Sequence, residues 1–313
     1  MNNIKEIENK HISVLLNELV EAIEIKNDKK NIIVDATLGM GGHASKIIEK
    51  MNIGDTFIGF DADIKNLELA RTRLEEINKN KKVEIILINS NFGNLKVELE
   101  KIGIKKITGI YYDLGLSSLH LDEADRGFSF MLNGPLDMRL DKSKGKTAAD
   151  IVNSYKDSEL RDIFLKYGEE PQSNKIAKNI VELRRKKRFE TTSDLSEIIT
   201  GGPKAKSRIF QAIRIEVNGE LEMLEKSLHD AIDMLEKDSV IFVISFHSLE
   251  DRITKNIFRD ETRDCICDDL ICSCGHVKSL KTLNKKPILP TPEEIKNNSR
   301  SRSAKARFAK KII

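Results

Sequence analysis

No stretch of this sequence approaches the roughly 20 apolar residues that a membrane-crossing helix needs. The opening MNNIKEIENK is polar and lacks the apolar centre of a secretory signal. Cysteine is scarce: there are four, Cys265, Cys267, Cys272 and Cys274, all close together. With no secretory signal, that usage points to a reducing cytoplasm and argues against a disulfide framework. Net charge is nearly absent as well, since 53 Lys+Arg against 50 Asp+Glu leave +3, which by itself names no partner. What is present is 313 residues, enough for about two domains and a buried core. The 39% of hydrophobic residues fall in periodic runs, which excludes disorder along the whole chain.

Short apolar runs alternate with helical patterns over the first 113 residues. Ile32–Val34, Thr56–Phe60, Val83–Ile88 and Gly109–Asp113 read as four strands. Between the second and third, Leu67, Leu69, Ala70, Leu74 and Ile77 recur at helical spacing. This rhythm predicts an α/β fold, a doubly wound, Rossmann-like parallel sheet covered on both faces. A fifth strand is expected at Val240–Phe246, preceded by one long helix carrying Ile213, Val217, Leu221, Leu224, Leu228, Ile232 and Leu235. Residues 148–200 read as short helices, too long a connection to lack structure of its own. The expected organisation is therefore a core in two parts, 1–140 and 208–313, with a helical insert at 141–207. Weak strand patterns at Ser279–Leu283 and Ala304–Ile312 could add a pair of edge strands.

The run from Asp35 to Ala44 (DATLGMGGHA) follows the first strand and opens a helix. Its glycines, Gly39, Gly41 and Gly42, let the chain turn tightly and bring backbone N–H groups to a ligand at the helix N-terminus. Asp61, at the end of the second strand, is placed to accept hydrogen bonds from ribose hydroxyls. The spacing fits NAD as well as S-adenosyl-L-methionine, and an ordinary strand-to-helix turn would also use glycine. Two features favour the methyl donor. Phe92 follows the third strand, where it could flank an adenine, although such a residue more often belongs to the core. Asp113-Leu-Gly-Leu-Ser-Ser118 follows the fourth strand at the sheet edge where ligands bind, and its polarity suits a flat amino group.

On these residues the chain resembles the bacterial small-subunit ribosomal RNA methyltransferase H family, also called MraW. The matching stretches are HISVLLNELV (11–20), DATLGMGGHAS (35–45), DLGLSSLHLDEADRGFSFMLNGPLDMRLD (113–141), FQAIRIEVNGELEMLE (210–225), SFHSLEDRITK (245–255) and NSRSRSAKARFAK (298–310). The resemblance implies an enzyme that methylates N4 of a cytidine in the decoding region of 16S ribosomal RNA. It implies cofactor contacts at Gly41, Gly42, His43, Asp61, Phe92 and Asp113, with a further one at His120, where the family commonly has Gln and this chain departs from it.

The exocyclic amine of cytosine is a poor nucleophile because its lone pair is delocalised into the ring. It must be held in line with the sulfonium methyl, with its N–H groups bonded to an acceptor that gives the proton an exit. Asp113 is the expected acceptor, with Asp137 and His247 as candidates for proton relay or base contact. Each has a plainer reading: an ion pair between Asp137 and Arg139, and a structural hydrogen bond at His247. The sulfonium is already activated, so no metal is assigned.

A base must leave its helix to be reached, and RNA phosphates call for cations. Arg184–Arg188, then Lys204, Lys206, Arg208 and Arg214, then Lys296, Arg300, Arg302, Lys305, Arg307, Lys310 and Lys311 supply them in runs, although charge runs are usually solvated faces. The expected partner is small-subunit ribosomal RNA or the ribosomal particle, with no membrane. Cys265-x-Cys267-x4-Cys272-x-Cys274 could hold zinc, but the C-x-C spacing is unusual and a reduced irregular loop is the expected reading. Two other classes stay open: an NAD-dependent oxidoreductase on the same nucleotide fold, and a non-catalytic RNA-binding protein.

Overall fold

The computed structural model describes residues 13–267 and 273–313; residues 11 and 12 of the first matching stretch, and Cys272, lie outside them. The chain divides into two compact units, Met1–Gly115 with Leu221–Ile313, and Leu116–Glu220. The first begins with α1 (Leu16–Ala22), β1 (Ile32–Asp35), α2 (Gly42–Lys50), β2 (Thr56–Asp61) and α3 (Ile64–Asn78). It continues with β3 (Glu84–Asn89), α4 (Leu95–Lys101) and β4 (Ile107–Asp113). The second holds α5 (Ser118–Asp122), α6 (Ala148–Ser154), α7 (Asp157–Lys166), α8 (Ser173–Leu183), α9 (Thr192–Ile198) and α10 (Gly202–Asn218). Then come α11 (Glu220–Met234), β5 (Leu235–Ser245), α12 (Ser248–Asp260), β6 (Leu280–Thr282), α13 (Pro292–Asn297) and β7 (Lys305–Lys311).

The sheet has seven strands in the order β3-β2-β1-β4-β5-β7-β6. The five strands β1 to β5 run parallel, and β7 adds antiparallel to β5 with β6 outside it. Successive residues of the parallel strands feed opposite faces, as the two-residue period of a strand requires. Val34, Ile58, Ile110 and Tyr112 pack with Leu95, Leu99, Leu224, Leu228 and Phe258 on one side. Ile33, Phe57 and Tyr111 pack with Leu19, Ala44, Ile47, Ile48, Ala70 and Leu74 on the other. Apolar side chains on both faces give the continuous hydrophobic runs of β1, β2 and β4, the doubly wound pattern expected from the sequence. The tail strands also form, but only β6 stands at the edge, because β7 is bonded on both sides.

The helix expected across 213–235 is two helices. Gly219, at φ 63°, ends α10, and its N–H donates to the Ile215 carbonyl. Only glycine takes that left-handed turn without strain, so the apolar period continues while the backbone does not. Leu235 already belongs to β5, which starts five residues earlier than its apolar run suggested.

The helical unit has its own core of Ile151, Phe164, Ile176, Ile180 and Leu195. It is wider than 141–207, because Phe128, Leu136 and Met138 join that core before the helices, and Ile209, Phe210 and Ile213 after them. Thr147 and Thr191 start α6 and α9, each accepting a backbone N–H three residues on while Asp150 and Asp194 bond back. Both are capping boxes that fix where the short helices begin.

Candidate functional site

Three parallel strands end in aspartate: Asp35 closes β1, Asp61 closes β2 and Asp113 closes β4. Strand order reverses between β1 and β4, and in open α/β sheets that crevice, beyond the carboxyl ends of the strands, is where ligands sit. Topology thus collects carboxyl groups that lie 26 and 52 residues apart in the sequence.

The glycine turn after β1 is held by these acids. Gly39, at φ 53°, donates its N–H to Asp61 Oδ2 at 2.8 Å. Asp61 also accepts from the Asn66 amide at 3.2 Å and, through Oδ1, from the Asp63 N–H at 2.7 Å. Gly41, at φ 75°, is the left-handed residue before α2, and a Cβ there would stand 3.4 Å from that of Ala70. The expected ribose carboxylate is therefore also the anchor that fixes the loop. Gly42 and His43 open α2.

His43 is buried, and its Nε2 lies 2.9 Å from the Val14 carbonyl. A carbonyl only accepts, so Nε2 carries the proton. Burial pushes the imidazole down to about 4, which leaves it neutral at ordinary pH with Nδ1 as a bare acceptor. That Nδ1 faces Asp113 Oδ2 at 3.4 Å. Two acceptors face each other unless the carboxyl holds a proton. Burial, reinforced by the charge of Glu250, does raise Asp113 to about 7. Its other oxygen, Oδ1, is buried without a hydrogen-bond partner, while about a fifth of the side chain stays open to solvent. The Asp113 N–H donates to Thr37 Oγ1 at 2.6 Å, which pins the end of β4 to the glycine loop.

Sequence reasoning gave no role to Asp35. It is fully buried beside Tyr111, and burial raises it to about 8, outweighing a hydrogen bond from the Thr37 N–H. Tyr111 is raised in turn, by its own burial and by Asp35. The readable signal was an acid ending an apolar strand, shared with Asp61 and Asp113. Glu250, also unassigned, is buried and accepts the N–H groups of Phe246 and His247.

The remaining expected residues are held otherwise. His247 caps α12, its ring accepting the Glu250 N–H at 3.4 Å, with Nε2 3.0 Å from Glu250 Oε1. Phe92 sets its ring edge-on to Tyr112 at 6.1 Å and packs on the apolar core of that face. Asp137 and His120 belong to the helical unit. Asp137 pairs with Arg139 through two bonds, 2.7 and 3.0 Å, and this pairing outweighs burial and keeps its carboxyl below the usual range. His120 lies buried against Phe128, with Nδ1 3.2 Å from Ser117 Oγ.

The basic runs are thinner in space than in sequence. Arg214 binds Glu220 through two bonds, Arg307 binds Asp251 likewise, and Lys187 meets Asp194. Lys310 reaches Glu24, and Lys311 is buried. Arg184 turns inward and donates to the Val152 carbonyl. Arg185, Lys186, Arg188, Lys204, Lys296, Arg300 and Arg302 keep exposed positions. Among the described residues no helix is long and apolar enough to cross a membrane.

The sequence pattern of the MraW methylase family matches residues 8–312 of this chain. A protein of Clostridioides difficile (strain 630) named ribosomal RNA small subunit methyltransferase H is 47% identical, spanning 96% of this chain and 99% of that protein. One of the same name from Clostridium botulinum (strain Loch Maree / Type A3) is 45% identical, spanning 98% of this chain and 100% of that one.

Proposed function

The chain belongs to the MraW methylase family, and on that premise we propose that it methylates N4 of a cytidine in the decoding region of 16S ribosomal RNA. S-adenosyl-L-methionine is the methyl donor. Membership in a methylase family displaces the alternative of an NAD-dependent oxidoreductase on the same nucleotide fold. The observation that carries the reading is Asp113: a carboxyl at the strand-order reversal, poised near neutrality, with one buried oxygen lacking a partner. Such an oxygen fits a cationic ligand or an N–H donor, and the methyl donor and the cytosine amine supply one each.

Bound at this edge, the cofactor supplies an electrophilic methyl on a positively charged sulfur. Asp61 and the Gly39–Gly41 turn hold the nucleoside end, with Asp61 accepting from ribose hydroxyls while it keeps the turn in place. Gly42 and His43 open α2, whose first N–H groups favour a carboxylate. Asp113, ionised once a cation is near it, accepts an N–H of the target amine, frees the lone pair from the ring and takes the proton as the methyl bond forms. His43, neutral and fixed by Val14, accepts the Asp113 proton while the cofactor is absent and so holds the protonated carboxyl in place. The proposed role of Phe92 is to flank the cofactor, and those of Asp137 and His247 are to hold a loop and a helix start. Arg185, Lys186 and Arg188 carry RNA phosphates.

The test is methyl transfer from labelled S-adenosyl-L-methionine to naked small-subunit RNA and to the assembled particle, followed by nucleoside digestion and mass spectrometry. N4-methylcytidine from a decoding-region fragment is expected with at least one of the two substrates. Label in any other nucleoside, or in a fragment elsewhere in the RNA, overturns the proposal.

A further inference from the structure

The cysteines that the methyl-transfer chemistry leaves unused come together in space. Sγ of Cys265, Cys267 and Cys274 lie within 4.8 Å of one another. The Cys265–Cys267 separation is 3.2 Å and the Cys265–Cys274 separation 3.9 Å, with none of the three in a disulfide. Tetrahedral zinc bound at about 2.3 Å to each sulfur puts its ligands about 3.8 Å apart, close to the Cys265–Cys274 separation and about 0.6 Å wider than the Cys265–Cys267 one.

The neighbouring contacts explain why residues seven apart in sequence, Cys267 and Cys274, meet. The segment before β6 returns to the end of α12: His276 Nε2 donates to the Asp260 carbonyl at 3.1 Å, and the N–H groups of Ser279 and Leu280 both bond the Glu261 carbonyl. Lys278 pairs with Asp264 across the same turn. The His276 contact ties this segment to the helix end through Nε2. Three thiols are weak hydrogen-bonding groups that gain little from one another, and three thiolates repel, whereas a thiophilic cation makes the same arrangement favourable.

We propose that Cys265, Cys267 and Cys274 bind one zinc ion that clasps residues 273–279 to residues 261–267 after α12. Each thiol loses its proton on binding, so loading releases acid, and a further donor completes the tetrahedron. The site is structural and lies apart in sequence from the glycine loop and Asp113. Its contribution is to hold the segment leading into edge strand β6, which pairs with β7.

The experiment is elemental analysis of the full chain, expressed with zinc in the medium and purified without chelator. Close to one zinc per chain is expected, falling at least tenfold in Cys265→Ser and in Cys274→Ser. Cobalt substituted into the wild type is expected to give thiolate charge-transfer absorption and intense tetrahedral visible bands, which need no activity to read. Circular dichroism and S-adenosylhomocysteine binding by both variants keep a zinc loss distinct from misfolding. A wild-type chain below a tenth of an equivalent of zinc overturns the proposal, as does zinc retained in both variants. Peptide mapping that finds these cysteines paired in a disulfide in the purified protein also overturns it.

Discussion

The carboxyl edge of the sheet and the basic runs of the helical unit and the tail treat charge in opposite ways. At the sheet edge, Asp35, Asp61 and Asp113 converge, and Asp35 and Asp113 are pushed toward their neutral forms by burial. In the basic runs, cations that cluster in the sequence find carboxylates in space: Arg214 with Glu220, Arg307 with Asp251, Lys187 with Asp194. A buried acid without a counter-ion costs stability, whereas the largely buried Arg214–Glu220 and Arg307–Asp251 pairs keep both charges bonded. The difference teaches where to look for function: charge left unbalanced at a strand-order reversal is held for a ligand, and charge balanced locally belongs to the fold.

That contrast can be broken most directly at Asp113. Asp113→Asn keeps shape and removes the charge and the group that takes the proton, and methyl transfer should fall at least about 100-fold, with the fold checked by circular dichroism. Near-normal turnover would make Asp113 another structural acid. Next is the exposed basic run. Replacing Arg185, Lys186 and Arg188 by Ala together should lower RNA affinity roughly tenfold or more at moderate salt and flatten the slope of log affinity against log salt by about 2 to 3. Thermal stability should stay within about 0.5 kcal/mol for each exposed change. An unchanged salt slope would mean that these cations only solvate the surface.

A pH effect of at most about tenfold per unit follows from the raised Asp113. A cationic ligand favours the carboxylate, so binding of S-adenosyl-L-methionine should strengthen as pH rises toward about 7 and release a proton, then level off. Calorimetry in buffers of different ionisation enthalpy measures that proton, and Asp113→Asn should abolish it. The same group costs stability as pH rises from 3.8 to about 7, because the unfolded carboxyl ionises first. The smallest effect is expected at the paired acid of the helical unit. Asp137→Asn should cost about 1 to 2 kcal/mol of stability through its two bonds to Arg139, with cofactor affinity unchanged. A large loss of turnover in a stable Asp137→Asn protein would move that residue from the fold to the chemistry.

The parallel strands, the glycine turn and most helices of the insert could be read along the chain because they rest on local period and on turn chemistry. The break at Gly219 could not, since apolar spacing carries on through a residue that reverses the backbone. Asp35 ends a strand as Asp61 and Asp113 do, but its burial and its place beside Tyr111 exist only once β1 and β4 pair. Phe92 and His247 each suit a ligand by their position after a strand, while contacts with Tyr112 and Glu250 tie both into the fold.

By itself the sequence determined the doubly wound sheet, the loop that follows its first strand, the helical insert and the family, because hydrophobic period, glycine placement and long motifs are properties of neighbouring residues. Only the tertiary structure decided which buried acids are held neutral, which cysteines meet and how far burial and Glu250 raise Asp113. Those depend on groups distant in the chain brought within a few ångströms in a medium that screens them poorly.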